Sequence, residues 1–325
     1  MTETLTIDRT RDERGAAGRK PAGRRKRATR PAWEEPPTAA GQTTKGLTLG
    51  LVVAAVLVPL WIIVVTSLST QAAVNRAGGL VIWPDEVTFE AYRVMLGDAT
   101  VRNALLVSLG ITAVGTVVSM VVSILCAYGL SRPGSVAHRL ILVTLIVTMF
   151  VSGGLIPTFL VVTELGGYGQ WWSLILPGAV SVFNILVLRA FYADTSSDLI
   201  EAARIDGAGD WRILWSIVLP TSRAVTAVVS LFYGVGYWNS FFNVMLYMPT
   251  DSEKWPLQYV LLTYVNRGNG LPGSVNSGFG TQFSQTAPLS LQMAVVVLTL
   301  VPLLLVYPFM QKHFRVGVLT GAVKG

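Results

Sequence analysis

Few residues in this 325-residue chain have the types and spacing that bond-making chemistry needs. His138 and His313 lie in short polar segments beside arginine or lysine, and the single cysteine, Cys126, sits in an apolar run. Neither histidine belongs to a ligand cluster or pairs with a nucleophile, and a lone thiol in apolar surroundings is a small packing residue. Gly268, Gly270 and Gly273 have the spacing of a dinucleotide fingerprint, but Pro272 and the surrounding Gly, Asn and Ser leave no strand before it and no helix after it. That run is turn chemistry. What remains is a spaced pattern suited to docking: Glu201-Ala202-Ala203, three residues, Gly207, nine residues, then Ile217-Val218-Leu219-Pro220.

Local physics turns this pattern into an elbow. Asp198 and Glu201 have capping-box spacing, so their side chains can satisfy the free N–H groups of a helix start, worth about 1 kcal/mol. Ala202 and Ala203 favour helix and are small enough for a partner surface to approach the backbone. Gly207 suits a left-handed helix end. Asp210 is placed to cap a second short helix, in which Trp211, Leu214, Trp215 and Val218 recur on one amphipathic face. Pro220 is tolerated in the first turn of the helix that follows. The expectation is two short helices feeding directly into a longer apolar one.

The elements that must position this elbow are apolar. Hydrophobic residues make up 52% of the chain, charged ones only 13%, and the mean hydropathy is +0.55. Soluble domains carry about 25% charged residues, so a membrane protein is indicated. Six stretches are long enough to cross ~30 Å of hydrocarbon: 47–68, 104–130, 140–162, 172–192, 222–248 and 288–310. Gly153-Gly154 with Pro157, Pro177-Gly178, Gly234 with Gly236, and Pro302 mark kinks or close packing within them. Residues 1–46 are basic and poor in large apolar groups, which predicts a disordered tail.

Charge sets the orientation. With the N-terminus inside, the inner segments and span ends hold 20 of the 25 Lys and Arg, against five outside (Arg76, Arg93, Arg102, Lys254 and Arg267). That asymmetry places both termini and the 193–221 elbow in the cytoplasm. The run Arg24-Arg25-Lys26-Arg27 therefore anchors topology and does not read nucleic acid. Between spans, 69–103 predicts a short interfacial element and 249–287 a long outer loop. Span centres lack acids and bases, which argues against ion coupling, an intramembrane enzyme or a channel, and for a neutral cargo. Asn184, Tyr233, Tyr237, Trp238, Asn239 and Asn243 supply the hydroxyl-bonding and aromatic groups that a sugar needs, although polar groups in spans also join helix to helix.

The filled pattern resembles the docking loop of ABC-importer permeases. Also similar are Ser152-Gly153-Gly154-Leu155-Ile156-Pro157-Thr158, the run from Leu174 to Val180, Trp238-Asn239-Ser240-Phe241 and the Gly317–Gly325 tail. Over 47–325 the chain resembles carbohydrate-importing ABC permeases of the maltose type, and among them the lipoprotein-like complex-sugar permeases of Gram-positive bacteria. The resemblance implies an all-α integral membrane fold, the type I importer permease, with six transmembrane helices and a cytoplasmic coupling helix between spans four and five. It implies that Glu201, Ala202, Ala203, Asp206, Gly207, Leu219 and Pro220 couple to an ATPase, and that the Gly321–Gly325 end of the cytoplasmic 311–325 tail reaches between the two ATPase subunits. Implied partners are a second homologous permease subunit, a dimer of ATP-binding subunits, an extracellular lipid-anchored sugar-binding protein and the lipids of a bacterial plasma membrane. This chain has no G-x-x-x-x-G-K-[ST] phosphate loop, so ATP and Mg are assigned to the partner ATPase and no cofactor to this subunit. The alternative cargo within the same machinery is a peptide, amino acid or phosphonate.

Overall fold

The computed structural model describes residues 38–132, 134, 137–151, 153–194, 197–267 and 288–321. The tail before 38, the Gly268–Gly273 run, most of the long outer loop and residues 322–325 lie outside the described residues. The chain divides into two compact units, the first ending at Ala54 and the second starting at Ala55. The first contains, among the described residues, the N-terminal part of α1 (Ala39–Ser67). That helix starts eight residues earlier than hydropathy suggests. The Thr38 hydroxyl accepts from the Gly41 N–H at 3.2 Å, while Thr43 and Thr44 hydroxyls donate back to the Ala39 and Ala40 carbonyls. Capping thus carries the helix beyond the apolar run.

Among its described residues the second unit has helices joined by turns and coil, and one isolated antiparallel bridge between Ser69 and Val87. The 69–103 segment forms α2 (Gln71–Arg76) and α3 (Glu90–Gly97), and Asp98 then caps α4 (Ala99–Ser131) by accepting from Thr100 and Val101 N–H. After it come α5 (His138–Phe150), α6 (Leu155–Glu164), α7 (Trp172–Ile175) with a 3₁₀ turn over Leu176–Gly178, and α8 (Val182–Ala193). The elbow comprises α9 (Ser197–Ile205), α10 (Asp210–Ile213), a single π-helical turn over Leu214–Val218 and α11 (Leu219–Thr221). Then follow α12 (Arg223–Trp238), α13 (Phe242–Tyr247), α14 (Leu257–Arg267) and α15 (Pro288–Gly321).

Among the described residues three helices are long and apolar enough to cross a membrane, over Ala39–Ser67, Ala99–Ser131 and Leu289–Pro308. The number reaches six if each of three bent pairs is one span. One pair is α5 with α6, broken at Gly153-Gly154, where Gly154 adopts φ +83° and so needs no Cβ. The second bends by 51° after Pro177-Gly178, and the third by 87° at Ser222. Gly153-Gly154 and Pro177-Gly178 therefore fall at breaks, whereas Gly234, Gly236 and Pro302 lie inside the continuous helices α12 and α15. The C-terminal helix does not stop near Met310 but continues to Gly321.

The core is organised on one face of α4. Ala104, Ser108, Ile111, Gly115, Ser119, Ser123, Ala127 and Leu130 recur every three or four residues, and all are buried. Such small side chains let backbones approach closely, and α12 and α8 pack more extensively on α4 than on any other element. Gly115 marks the tightest point: a Cβ there would lie 2.9 Å from the Tyr237 ring. The ring cannot step aside cheaply, because its hydroxyl hydrogen-bonds Ser119 at 2.8 Å and the Ile175 carbonyl at 2.9 Å. We expect Gly115→Val to destabilise the helical core by roughly 1–3 kcal/mol, the usual cost of overpacking. An SDS unfolding titration of the purified protein measures it.

Candidate functional site

The elbow forms between α8 and α12. Its first helix, α9, ends as the glycine foretells. Gly207 has φ +79°, its N–H bonds the Arg204 carbonyl at 3.0 Å, and the Ala208 N–H bonds the Ala203 carbonyl at 2.9 Å. This is a Schellman end with Gly207 at the left-handed position and an Ala203–Ala208 contact behind it. Ile200, Ala203 and Ala208 pack against the core. On the opposite side Glu201, Ala202, Ile205, Asp206 and Gly207 are exposed, with Ile205 at 87% and Leu199 at 52%. Ile205 thus stands open beside two carboxylates and a small alanine, an exposed surface of mixed polarity. The Asp198 side chain, proposed as half of a capping box, lies outside the described residues.

Three expectations for the second helix are corrected. Asp210 does not cap it. Gly209 occupies the cap position, and Asp210, in the first turn, turns its carboxylate to Arg204 at 3.6 Å and to the Tyr128 hydroxyl at 3.3 Å. The four apolar residues do not share one face either. Leu214 and Val218 are 1% exposed and join Ile213 in the core, whereas Trp211 and Trp215 are 66% and 65% exposed. Burial centres on Ile213, Leu214 and Val218, which leaves both tryptophans beyond its edge, and a π turn over Leu214–Val218 replaces the 3.6-residue period there. Pro220 is not in the first turn of the long helix: it lies in α11, before the 87° bend, and α12 starts at Arg223. Leu219 is half-buried against the core.

The residues proposed to line a pathway do not form one open set. Tyr233 bonds the Ser123 hydroxyl at 2.7 Å and takes the Ser181 N–H at 3.1 Å. Tyr237 is tied to Ser119 and Ile175, and the Trp238 indole N–H donates to the Thr299 carbonyl at 3.0 Å. Asn184 is buried beside its cap residue Ser181, Asn243 is half-buried, and Asn239 is exposed with Gln258 Nε2 at 3.4 Å from its Oδ1. Tyr233 and Tyr237, one turn apart on α12, thus form two rungs to Ser123 and Ser119, one turn apart on α4. The partners of these rungs were missed in the sequence reading. The signal was present as small residues at every fourth position, Gly115, Ser119, Ser123 and Ala127. Among the described residues there is no group of His, Cys, Asp and Glu able to hold a metal ion.

Known proteins place this architecture. The chain belongs to the family of binding-protein-dependent transport system inner membrane components, matched over residues 119–319. It is therefore a transport permease and not an enzyme. It is 43% identical to the polygalacturonan/rhamnogalacturonan transport system permease protein of Bacillus subtilis over 75% of this chain and 85% of that one. It is 38% identical to the protein LplC of the same organism, over 86% and 93%. The crystal structure of a bacterial ABC transporter that imports the acidic polysaccharide alginate contains a similar subunit. That subunit has a TM-score of 0.76 at 29% identity, with 84% of this chain and 96% of that one covered. The type I importer permease fold expected from the resemblance is thereby established.

The glycine end of α9 gives a direct test of the elbow's local physics. Gly207→Ala forces a Cβ into left-handed backbone and should cost roughly 1–2 kcal/mol. We expect faster amide hydrogen exchange at residues 207 and 208 in the variant, with protection in α4 and α12 unchanged.

Proposed function

We propose that this chain forms half of the translocation pathway of an ATP-driven oligosaccharide importer and that α9 is its coupling helix. One observation carries the coupling role: an exposed, rigidly terminated helix bears Glu201, Ala202 and Asp206 outward, in a family whose members import through a binding protein. On this reading Glu201 supplies the charged contact to an ATP-binding subunit, Ala202 lets its backbone seat closely, and Ile205 fills an apolar part of the cleft. Gly207 fixes where the helix ends, and Leu219 with Pro220 carries the elbow into the bend at Ser222. Energy enters only through that contact, because ATP and Mg are held by the partner.

The full assembly would comprise a second permease subunit, two ATP-binding subunits and an extracellular lipid-anchored binding protein, with both termini of this chain in the cytoplasm. Closure of the ATPase pair would move the elbow and switch the helices between inward and outward access. The 249–287 loop is the proposed contact for the binding protein. Within the pathway set, Asn239 and Asn243 are the proposed sugar contacts. Tyr233, Tyr237 and Trp238 hold α12 in place, and Asn184 joins the pathway from α8. The names of two similar proteins specify acidic polysaccharides, so the proposed cargo bears uronic acids, in place of the neutral sugar suggested by uncharged span centres. Hydroxyl and amide donors in a hydrated pathway satisfy a carboxylate without a fixed cation, and a second subunit lines the other half.

Two measurements test this. Glu201→Lys should abolish co-purification of the ATP-binding subunit; an intact complex would sink the coupling assignment. In the reconstituted importer with its binding protein, oligogalacturonates should stimulate ATP hydrolysis more than neutral oligosaccharides do. Stimulation by a peptide or a phosphonate alone would overturn the carbohydrate reading.

A further inference from the structure

The cytoplasmic end of α4 gathers a set of polar contacts that no role above uses. The Tyr128 hydroxyl donates to the Asp210 backbone carbonyl at 3.1 Å, with the Asp210 carboxylate also in reach at 3.3 Å. The same hydroxyl accepts from Arg132 Nη2–H at 2.7 Å, and the Arg132 guanidinium stands 4.8 Å from the centre of the Tyr128 ring. Asp210 in turn faces Arg204, in the last turn of α9. One side chain thus connects the C-terminal turns of α4 to the start of α10, and through Asp210 to α9. The last turn of α4 is also fixed laterally, where Arg189 of α8 donates Nε–H to the Leu130 carbonyl at 2.8 Å.

These contacts differ in kind. The Arg204–Asp210 pair is wide and more than half exposed, so screening leaves it little weight. Tyr128 is different. Its hydroxyl uses both its donor and its acceptor capacity, Arg132 polarises it, and the guanidinium over the ring resists its rotation. Above this joint α4 runs as one helix to the two tyrosine rungs, Ser123 with Tyr233 and Ser119 with Tyr237. A displacement of α10 therefore meets a continuous path into α12 that does not pass through the bend at Ser222. The elbow is joined to α12 directly by backbone and indirectly by α4, as two sides of a frame.

We propose that Tyr128, held by Arg132 and bonded to Asp210, is the positioning residue that makes the elbow and α4 move as one body, so that coupling motion reaches α12 through the tyrosine rungs. This deepens the coupling reading of α9 and rests on it. The joint acts through hydrogen bonds and ring packing, and touches neither cargo nor nucleotide.

Cys126, two residues from Tyr128, is exposed and is the chain's single cysteine, which allows a distance measurement across the joint. In the full importer, assembled with cysteine-free partner subunits, spin labels go on Cys126 and on a second site made by Ser216→Cys in the exposed part of the π turn. The expected result is one narrow distance distribution, the same without nucleotide and with a non-hydrolysable ATP analogue. Tyr128→Phe, which keeps the ring and removes both hydrogen bonds, should broaden that distribution. It should also cut the binding-protein-stimulated part of ATP hydrolysis roughly fivefold, the shift expected from losing the one hydrogen bond that crosses to Asp210. Arg132→Gln, which leaves Tyr128 in place, should broaden it too, and this keeps the test independent of any folding defect in the first variant. Unchanged distributions in both variants, or a wild-type distance that changes with nucleotide, would overturn the joint. Failure of the unmodified chain to retain an ATP-binding subunit would instead overturn the coupling reading beneath it.

Discussion

The close approach of α4 and α12 is the constraint on which the rest of the structure depends. Lipid tails are as apolar as leucine, so hydrophobicity alone cannot choose which helices of such a chain pair. Selection falls to fit and to hydrogen bonds. Gly115, Ser119, Ser123 and Ala127 remove bulk from one face of α4, and Tyr233 and Tyr237 fill the space with rings whose hydroxyls reach two of those serines. The same two hydroxyls also meet the backbone around the break before α8, at Ile175 and Ser181. Three helices are thereby locked at one level, where the hydroxyls of Ser119, Ser123, Tyr233 and Tyr237 are all hydrogen-bonded.

The elbow gains its character from that lock. Short helices such as α9 and α10 are marginal in isolation. Ile200, Ala203, Ile213, Leu214 and Val218 hold them against the core, and the glycine end and the π turn set the direction in which the chain leaves. What the core does not claim stays outside: Glu201, Ala202, Ile205 and Asp206 on α9, Trp211 and Trp215 beyond it. The result is a surface that is rigid underneath and open on top, as the proposed coupling role requires. The family to which the chain belongs gives that geometry its meaning as part of a binding-protein-dependent importer.

A tyrosine in an apolar helix can line a pathway or join helix to helix, and composition alone does not distinguish the two. Hydroxyl-bearing aromatics in the fifth span fit a sugar pathway, yet Tyr233 and Tyr237 are engaged within the chain, as is the Trp238 indole. Buried phenols need partners, and nearby serines and free carbonyls at helix breaks provide them. More open amide groups, Asn239 and Asn243, stand past the helix end, where α12 gives way to α13. The division of labour follows from helix geometry: residues one turn apart inside α12 face α4, and residues at its broken end do not.

Much of this protein was legible in the chain of letters. Long apolar runs, the breaks at Gly153-Gly154 and Pro177-Gly178 and the Glu201–Pro220 spacing each report a local requirement, whether for helix, a left-handed end or a turn. Local requirements are written where they act. The structure alone decided the rest: that Asp210 turns from its helix start to Arg204 and Tyr128, that Trp211 and Trp215 part from Leu214 and Val218, and that Pro220 stops short of the bend. These outcomes depend on which distant group competes for a side chain once the helices have packed. Tyr128 and Asp210 are 82 positions apart, and no periodicity or cap preference encodes a meeting at that separation.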